Sequence, residues 1–262
     1  MPMKRIVLLF AVVAVFMPAI AGCGIKEDRG ECPCRLFLDM TDVDRSVMSP
    51  LALYITAGGV TVCDEVLDSA ELSGDRVIEV PREELSVVAW GGCGKEVSAS
   101  GLLIPLGEDC PPVYIHASSL RADGECVSDT LRMRKNHCVL DIMLQDTDVP
   151  YRLAVRGNVS GFDPTGKPSE GEFYVPMSVD TVSTCSVAVC LPRQLGDDLY
   201  LDVSDGDGKT RTFHLSRYMA AAGYDWTEPD LKDLSLTLNY TLAAMTLMIQ
   251  GWTEEFIFDV VI

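Results

Sequence analysis

The chain has 262 residues, of which 48% are apolar and 23% are charged, so it can bury the core of one large or two ordinary domains. It carries 39 acidic against 21 basic residues, for a net charge of −18. Because nucleic-acid binding needs lysine and arginine to neutralise phosphates, this balance excludes nucleic acid as an expected partner and favours a well-solvated, exposed protein.

The first residues have the organisation of an export signal. Lys4 and Arg5 precede an uncharged apolar run, Ile6–Ala21, which contains Pro18. The run is shorter than the roughly 20 residues of a transmembrane helix, and small residues close it. We therefore expect residues 1–22 to be a cleaved secretory signal peptide rather than part of the fold.

The end of this signal matches a bacterial lipobox, which predicts cleavage between Gly22 and Cys23. In the stretch Ile20–Cys23, small residues give a membrane peptidase access to the bond, and the Cys23 thiol is the nucleophile that takes a diacylglyceryl group. The new amino terminus can then take a further chain such as palmitate, and two or more chains hold a protein stably on a membrane. The alternative is an ordinary cleaved signal with an unrelated cysteine. Residues 23–33 are expected to form a hydrophilic tether.

Nine further cysteines follow Cys23, and an odd number leaves at least one free or paired between molecules. No CxxC motif is present and the three histidines are far apart, so we expect no metal site and no cofactor. Some disulfides are plausible in an oxidising compartment, but the sequence leaves their connectivity open. The nine are Cys32, Cys34, Cys63, Cys93, Cys110, Cys126, Cys138, Cys185 and Cys190.

Beyond residue 33 the chain consists of short apolar runs with period-two alternation, bounded by Gly, Pro, Asp and Asn. This pattern predicts an all-β chain of two tandem sandwiches, residues 34–147 and 148–262, joined near Gln145–Pro150. One short helix is predicted over Arg217–Ala222, and Ala57-Gly58-Gly59 predicts a turn between the strands on either side of it. The predicted strands are 35–40, 51–56, 59–63, 76–80, 86–90, 138–144, 151–161, 171–177, 185–191, 198–204, 210–216, 233–240, 244–250 and 255–262.

Motifs for metal binding and catalysis are weak or missing. The stretch Asp202–Thr210 is acidic, but Gly206 and Asp207 stand in the wrong order for a calcium-binding EF-hand loop, so we predict a turn between two strands. The sequence contains no nucleophile elbow, phosphate-binding loop or HExxH zinc motif. We expect the protein not to be an enzyme.

Several segments together resemble one known family. Cys23–Met40 combines the lipobox cysteine, an acidic spacer, a Cys-Pro pair and a strand. Near the end, Gly223–Trp226 is followed by Asp230–Asp233 and Trp252, and Gly157–Phe173 is similar to the opening of a second domain. In this ordering the chain resembles the fimbrillin-associated anchor (FimB-like) family, the minor fimbrial subunits of Bacteroides-type bacteria.

The resemblance implies two transthyretin-like β-sandwiches in a surface-exposed lipoprotein that Cys23 anchors in the outer membrane. It also implies a structural role in cell adhesion: attaching fimbriae to the cell and assembling with other fimbrial subunits by β-strand addition. The candidate assembly strand is the last predicted one, with Phe256, Phe258, Val260 and Ile262 on one side. The alternative is that this strand only completes the core of a monomer.

A second functional class remains open, a surface lipoprotein that binds glycan or a host ligand. Tyr224, Trp226 and Trp252 are candidates for a sugar-stacking platform, although such residues more often anchor a core. An exposed aromatic platform favours glycan binding, and a long apolar groove favours strand exchange.

Overall fold

A computed structural model of the chain describes residues 32–145, 151–179, 186–239, 244–249 and 256–259. Strands dominate these residues, which confirms the all-β prediction. The helices are α1 (Arg45–Met48) and α2 (Leu215–Ala221). The strands are β1 (Cys34–Asp39), β2 (Leu51–Ala57), β3 (Val60–Leu67), β4 (Asp75–Val80), β5 (Glu84–Gly91), β6 (Leu102–Leu103), β7 (Tyr114–Arg121), β8 (Cys126–Thr130), β9 (Arg134–Lys135), β10 (His137–Gln145), β11 (Tyr151–Phe162), β12 (Pro168–Val179), β13 (Ser186–Pro192), β14 (Tyr200–Ser204), β15 (Thr210–Phe213), β16 (Leu234–Asn239), β17 (Ala244–Ile249) and β18 (Phe256–Asp259).

The first half of the fold, β1–β9, contains two sheets that share one core. Their strand orders are β4-β1-β8 and β3-β2-β5-β7-β9. Residues of β1 alternate between buried and exposed, so the sheet of β1 turns one face to the core and the other to solvent. Side chains from both sheets form this first core, including Leu36, Leu38, Val80, Leu53 and Ile55.

Strand β5 differs because it is buried on both faces. Leu85, Val87 and Ala89 belong to the first core, whereas Val88 and Trp90 belong to the core of the second half. Successive residues of a strand point to opposite faces, so the sheet that contains β5 contributes to two cores at once. This explains the unbroken apolar run at residues 87–90.

The second half, β10–β18, also contains two sheets. Their strand orders are β13-β10-β16-β17-β18 and β12-β11-β14-β15, and β6 from the first half adds to β11. Their inner faces form the second core, which includes Leu140, Leu153, Phe173, Leu201 and Leu236. The arrangement is that of sandwich-type β domains.

Strand β10 corrects one expectation from the sequence. The strand predicted over residues 138–144 falls in the first predicted sandwich, residues 34–147. In the structure, however, β10 pairs antiparallel with β13 and parallel with β16, which both belong to the second half. Its apolar residues alternate as expected, but their partners come 43 to 94 residues later in the chain. Contacts join Cys34–Ile262 into one unit, and the division at residues 147 and 148 stays a prediction.

Two local predictions are confirmed. The Ala57-Gly58-Gly59 signal closes the β2–β3 hairpin, where Gly58 and Gly59 have φ of 55° and 84°. Both angles fall in the left-handed region, which glycine reaches without strain. The predicted short helix is α2, and it ends before Gly223, which has φ of 80°.

Candidate functional site

The predicted lipid-attachment site lies outside the described residues. Gly22 and Cys23 precede residue 32, where the described chain begins, so the cleavage, the lipid and the tether stay predictions. In the described ranges, no helix is both long enough and apolar enough to cross a membrane.

The candidate assembly strand is represented by β18. It contains Phe256 and Phe258, whereas Val260 and Ile262 lie outside the described residues. β18 runs antiparallel to β17, with Phe258 opposite Met245. Within the part of the chain that the structure describes, β17 is its one sheet neighbour, so β18 lies at the edge of the five-stranded sheet. An edge strand presents backbone N–H and C=O groups that a further strand can pair.

The chain enters this sheet through a docking segment, Tyr224–Asp233, which is fixed against the start of β10. The Oδ1 atom of Asp233 accepts hydrogen bonds from the backbone N–H of Val139 at 2.8 Å and from the Lys135 Nζ at 2.6 Å. Asp233 directly precedes β16, so these bonds hold β16 in parallel register beside β10.

Asp230 makes a second attachment of the docking segment. Its Oδ1 accepts from the backbone N–H of Lys135 at 2.9 Å, and its Oδ2 accepts from Arg134 Nη1 at 2.9 Å. The backbone N–H of Leu231 donates in return to the Lys135 carbonyl at 3.1 Å. The acidic residues that carry the family resemblance thus fix backbone geometry at this end of the sheet.

The guanidinium of Arg193 also binds the docking segment. Its Nη1 donates to the carbonyl oxygens of Trp226 and Glu228, the latter at 2.9 Å, and its Nη2 donates to the Pro229 carbonyl at 3.1 Å. Its Nε donates to Asn136 Oδ1 at 2.7 Å. All these acceptors are neutral oxygens, and burial lowers the pKa of Arg193 from its usual value. One side chain therefore ties three residues of the segment to the end of β13.

Tyr224 and Trp226, two of the three predicted aromatic candidates, do not form an exposed platform. Tyr224 is only 8% exposed, and its hydroxyl donates to the Lys232 carbonyl at 2.9 Å. Its ring meets Trp226 edge to face, with centroids 4.9 Å apart, and Trp226 packs against the second core. Burial raises the pKa of Tyr224 well above its usual value. Both residues therefore serve the core, and Trp252 lies outside the described residues.

A depression of about 550 Å³ lies on the outer face of the sheet β12-β11-β14-β15. Its lining includes Arg152, Tyr174, Asp202 and Thr210 around the small side chain of Ala154. Tyr174 is 39% exposed, so an aromatic ring stands at this depression together with charges of both signs.

A row of cationic and aromatic groups continues beside the depression. Arg156 Nε donates to Asp202 Oδ2 at 3.0 Å, and its guanidinium lies 4.2 Å from the centre of the Tyr200 ring. Tyr200 stacks on His214 with centroids 4.5 Å apart. The sequence analysis missed this group because its members come from separate strands and meet only through sheet register.

The acidic stretch Asp202–Thr210 forms the turn that was predicted. Asp205 Oδ1 accepts from the backbone N–H groups of Asp207 at 3.1 Å and Lys209 at 2.9 Å, while β14 and β15 pair on either side. No group of three or more His, Cys, Asp or Glu residues suited to a metal ion occurs among the described residues.

No protein-family model and no curated protein matches the chain. Solved structures do match. A candidate polysaccharide-binding protein from Bacteroides thetaiotaomicron is 13% identical, over 87% of this chain and 98% of that chain, with a TM-score of 0.64. The fimbrial anchor protein Mfa2 from Porphyromonas gingivalis is 13% identical, over 84% and 98%, with a TM-score of 0.61. A candidate adhesin from Bacteroides ovatus is 9% identical, over 86% and 96%, with a TM-score of 0.60.

These similarities extend over nearly the full length of each matched structure, and none of the three is named as an enzyme. At such low identity they establish the fold. The resemblance predicted from the sequence is confirmed at that level: the chain has the fold of the fimbrial anchor and adhesin structures of Bacteroides and Porphyromonas.

Proposed function

We propose that this protein is a cell-surface anchor subunit of a fimbria, held in the outer membrane by lipid on Cys23. It attaches fimbriae to the cell and joins other fimbrial subunits by β-strand addition. The observation that carries the proposal is the edge position of β18, the strand predicted from sequence to act in assembly. The fold shared with Mfa2, which is named as a fimbrial anchor, supports it.

Strand addition suits this edge for a physical reason. An incoming strand gains main-chain hydrogen bonds along an edge whose outer N–H and C=O groups pair with no other strand among the described residues. The ion pair of Asp233 with Lys135 and the contacts of Arg193 fix the entry to the same sheet. A pre-ordered edge loses less conformational entropy on binding than a disordered one.

Assembly at β18 is tested by adding a charge to the strand. In cells that carry the matching fimbriae, Ile257→Lys should release fimbriae into the medium and abolish crosslinking to other subunits, because lysine on an edge opposes strand pairing. The matched control is Val187→Lys on β13, the opposite edge of the same sheet. Deletion of residues 256–262 should act as Ile257→Lys does. Cell-bound fimbriae in both β18 variants would refute assembly at this edge.

The lipid anchor needs its own test. Cys23→Ser should move the protein from the membrane fraction to the soluble fraction and abolish labelling with a palmitate analogue, because the thiol is the site of diacylglyceryl transfer. Cys32→Ser, near the end of the predicted tether, is the matched control and should stay on the membrane. A membrane-bound, labelled Cys23→Ser protein would exclude this anchor.

The second candidate function is binding of a surface glycan or host ligand. The outer-face depression with Tyr174 and Arg152 favours it, as does the fold shared with a candidate polysaccharide-binding protein. If it holds, Tyr174→Ala and Arg152→Ala should each abolish binding to polysaccharides in calorimetry. Phe37→Ala is the control, since Phe37 is also 39% exposed but lies in the first half. If both variants bind the polysaccharide as tightly as the wild-type protein does, this depression is excluded as the binding site.

A further inference from the structure

Four cysteines from distant parts of the chain lie near one another in the second half. Cys93, Cys110 and Cys138 are buried, and Cys190 is partly exposed. Cys110 belongs to a strap, Ile104–Val113, which follows β6 and runs along the second half before the chain returns to the first-half sheet at β7. The sequence left the pairing of these cysteines open.

Backbone hydrogen bonds hold the strap in place. The N–H of Ile104 donates to the Ser160 carbonyl at 2.8 Å, and the N–H of Gly107 donates to the Tyr174 carbonyl at 2.7 Å. The N–H of Cys110 donates to the Cys190 carbonyl at 3.1 Å. The strap is therefore bound to both sheets of the second half, and its last attachment joins two cysteine residues.

The geometry of that last attachment suits a disulfide. The backbone bond from Cys110 to Cys190 places the two residues side by side, and opposite residues on adjacent extended segments have Cα atoms about 4.5–5.5 Å apart, within the range of roughly 4.4–6.8 Å that disulfides span. The side chains of Cys110 and Cys190 also pack on the same side, in or against the second core. Cys93 and Cys138 belong to the same core.

Other roles for these thiols fit less well. The described residues provide no group of three or more ligands for a metal ion. Burial raises the pKa of Cys93 and of Cys138 to about 12, and that of Cys110 well above its usual value, so none of them is suited to make the first attack on an external disulfide. Cys190 is the member of the group that solvent reaches.

We propose that Cys110 and Cys190 form a disulfide that ties the strap to β13. The oxidant is a disulfide donor of the thiol–disulfide exchange class. The Cys190 thiolate attacks the donor disulfide and displaces one donor thiolate, which gives a mixed disulfide. The Cys110 thiolate then attacks the Cys190 sulfur and displaces the second donor thiolate. Both protein protons pass to the released donor sulfurs, so the donor is reduced to two thiols as the pair is oxidised.

The disulfide would join a segment that begins in the first half to an edge strand of the C-terminal sheet. It closes a loop of about 80 residues, and crosslinks across loops of that length restrict the unfolded chain strongly. Reduction of the bond should lower the Tm by roughly 10 °C in a protein of this size.

The test uses purified, fully reduced protein incubated with oxidised glutathione as the donor, followed by thiol alkylation and peptide mapping by mass spectrometry. We expect a peptide pair linked through Cys110 and Cys190, and a Tm that rises by roughly 10 °C on oxidation. Cys110→Ser and Cys190→Ser should each abolish both the link and the rise. Cys93→Ser is the matched control from the same group and should keep both.

Three results would overturn the proposal. The first is alkylation of both Cys110 and Cys190 after oxidation of the folded protein. The second is a link from either residue to Cys93 or Cys138 instead. The third is a linked protein whose Tm equals that of the reduced form. None of these results depends on fimbriae, so the disulfide and the proposed anchor function can fail separately.

Discussion

Strands β1 and β5 lie in the same half of the molecule but are built differently. In β1 every second residue is buried and the others face solvent, as with Phe37, which is 39% exposed. In β5 the buried residues run consecutively, and they contribute in turn to the first and second cores. A strand with one solvent-exposed face stabilises one half of the fold. A strand that is buried on both faces contributes to both cores, so the stability of each half depends on the other.

The strongest way to break this dependence is to truncate Trp90. Trp90 is 1% exposed, belongs to the second core although it lies on β5, and meets Phe162 edge to face with centroids 6.4 Å apart. Trp90→Ala should lower the free energy of unfolding by about 3–5 kcal/mol, because it leaves a large cavity. Phe37→Ala on β1 should cost less than about 1 kcal/mol. Urea denaturation measures both, and equal losses would mean that β5 is no more important than β1.

The next effect concerns the entry to the C-terminal sheet. Arg193→Lys keeps the charge but removes the fork that binds several carbonyls of the docking segment, so we expect a loss of about 2–3 kcal/mol. Arg217→Lys on α2 is the matched control and should change stability by less than about 0.5 kcal/mol. The measurement is urea denaturation, and a neutral Arg193→Lys variant would contradict the role given to this side chain.

A smaller effect is expected at Tyr224. Tyr224→Phe keeps the ring in the second core but leaves the Lys232 carbonyl without this donor, which should cost about 1 kcal/mol. Tyr174→Phe on the exposed outer face is the control and should be close to neutral. Thermal unfolding distinguishes them. A loss above about 3 kcal/mol for Tyr224→Phe would mean that the hydroxyl does more than satisfy one carbonyl.

The smallest expected effect is a dependence of folding stability on pH, caused by His137 at the start of β10. His137 is buried, its Nδ1 accepts from the backbone N–H of Val113 at 3.0 Å, and burial lowers its pKa despite the nearby Asp233. A lowered folded-state pKa means that the unfolded chain binds the proton more tightly, so stability should fall as the pH drops below the unfolded pKa of about 6.5. Denaturation at pH 7.5 and 5.5 measures the loss, and His137→Gln should reduce it. An unchanged loss in that variant would assign the effect to other groups.

Much of the fold follows from the sequence because local signals coincide with the final structure there. Alternation predicted β1, and the glycines at 58 and 59 predicted the β2–β3 hairpin. Strand β7 was missed because its sequence, YIHASSLR, carries polar groups that find partners elsewhere. His116 Nε2 lies 3.0 Å from Asp129 Oδ2, and Ser118 donates to the same oxygen. Asp129 lies on β8 in another sheet, and no periodic pattern reveals such a pairing.

The candidate site also combines a feature that local sequence signals predict with a feature that depends on distant parts of the chain. The sequence predicted a strand over residues 255–262, because a short apolar run is a local signal, and β18 at 256–259 lies within that range. Its position at a sheet edge depends on the order of five strands, which come from residues 137 to 259. The cationic and aromatic row on the outer face also depends on long-range pairing. Arg156 meets Tyr200 because β11 and β14 pair in one register, and His214 reaches Tyr200 because it directly follows β15.

The parallel pairing of β10 with β16 also has a consequence for the order of folding. Leu140 lies beside Leu234, so the centre of the C-terminal sheet cannot close until more than 90 further residues have joined it. Long-range pairings of this kind are slow to form because a long loop must close first. Among the residues that the structure describes, the buried members of the first core all come from residues 34–131. A chain emerging from its amino terminus can thus complete the first core while the C-terminal sheet is still open.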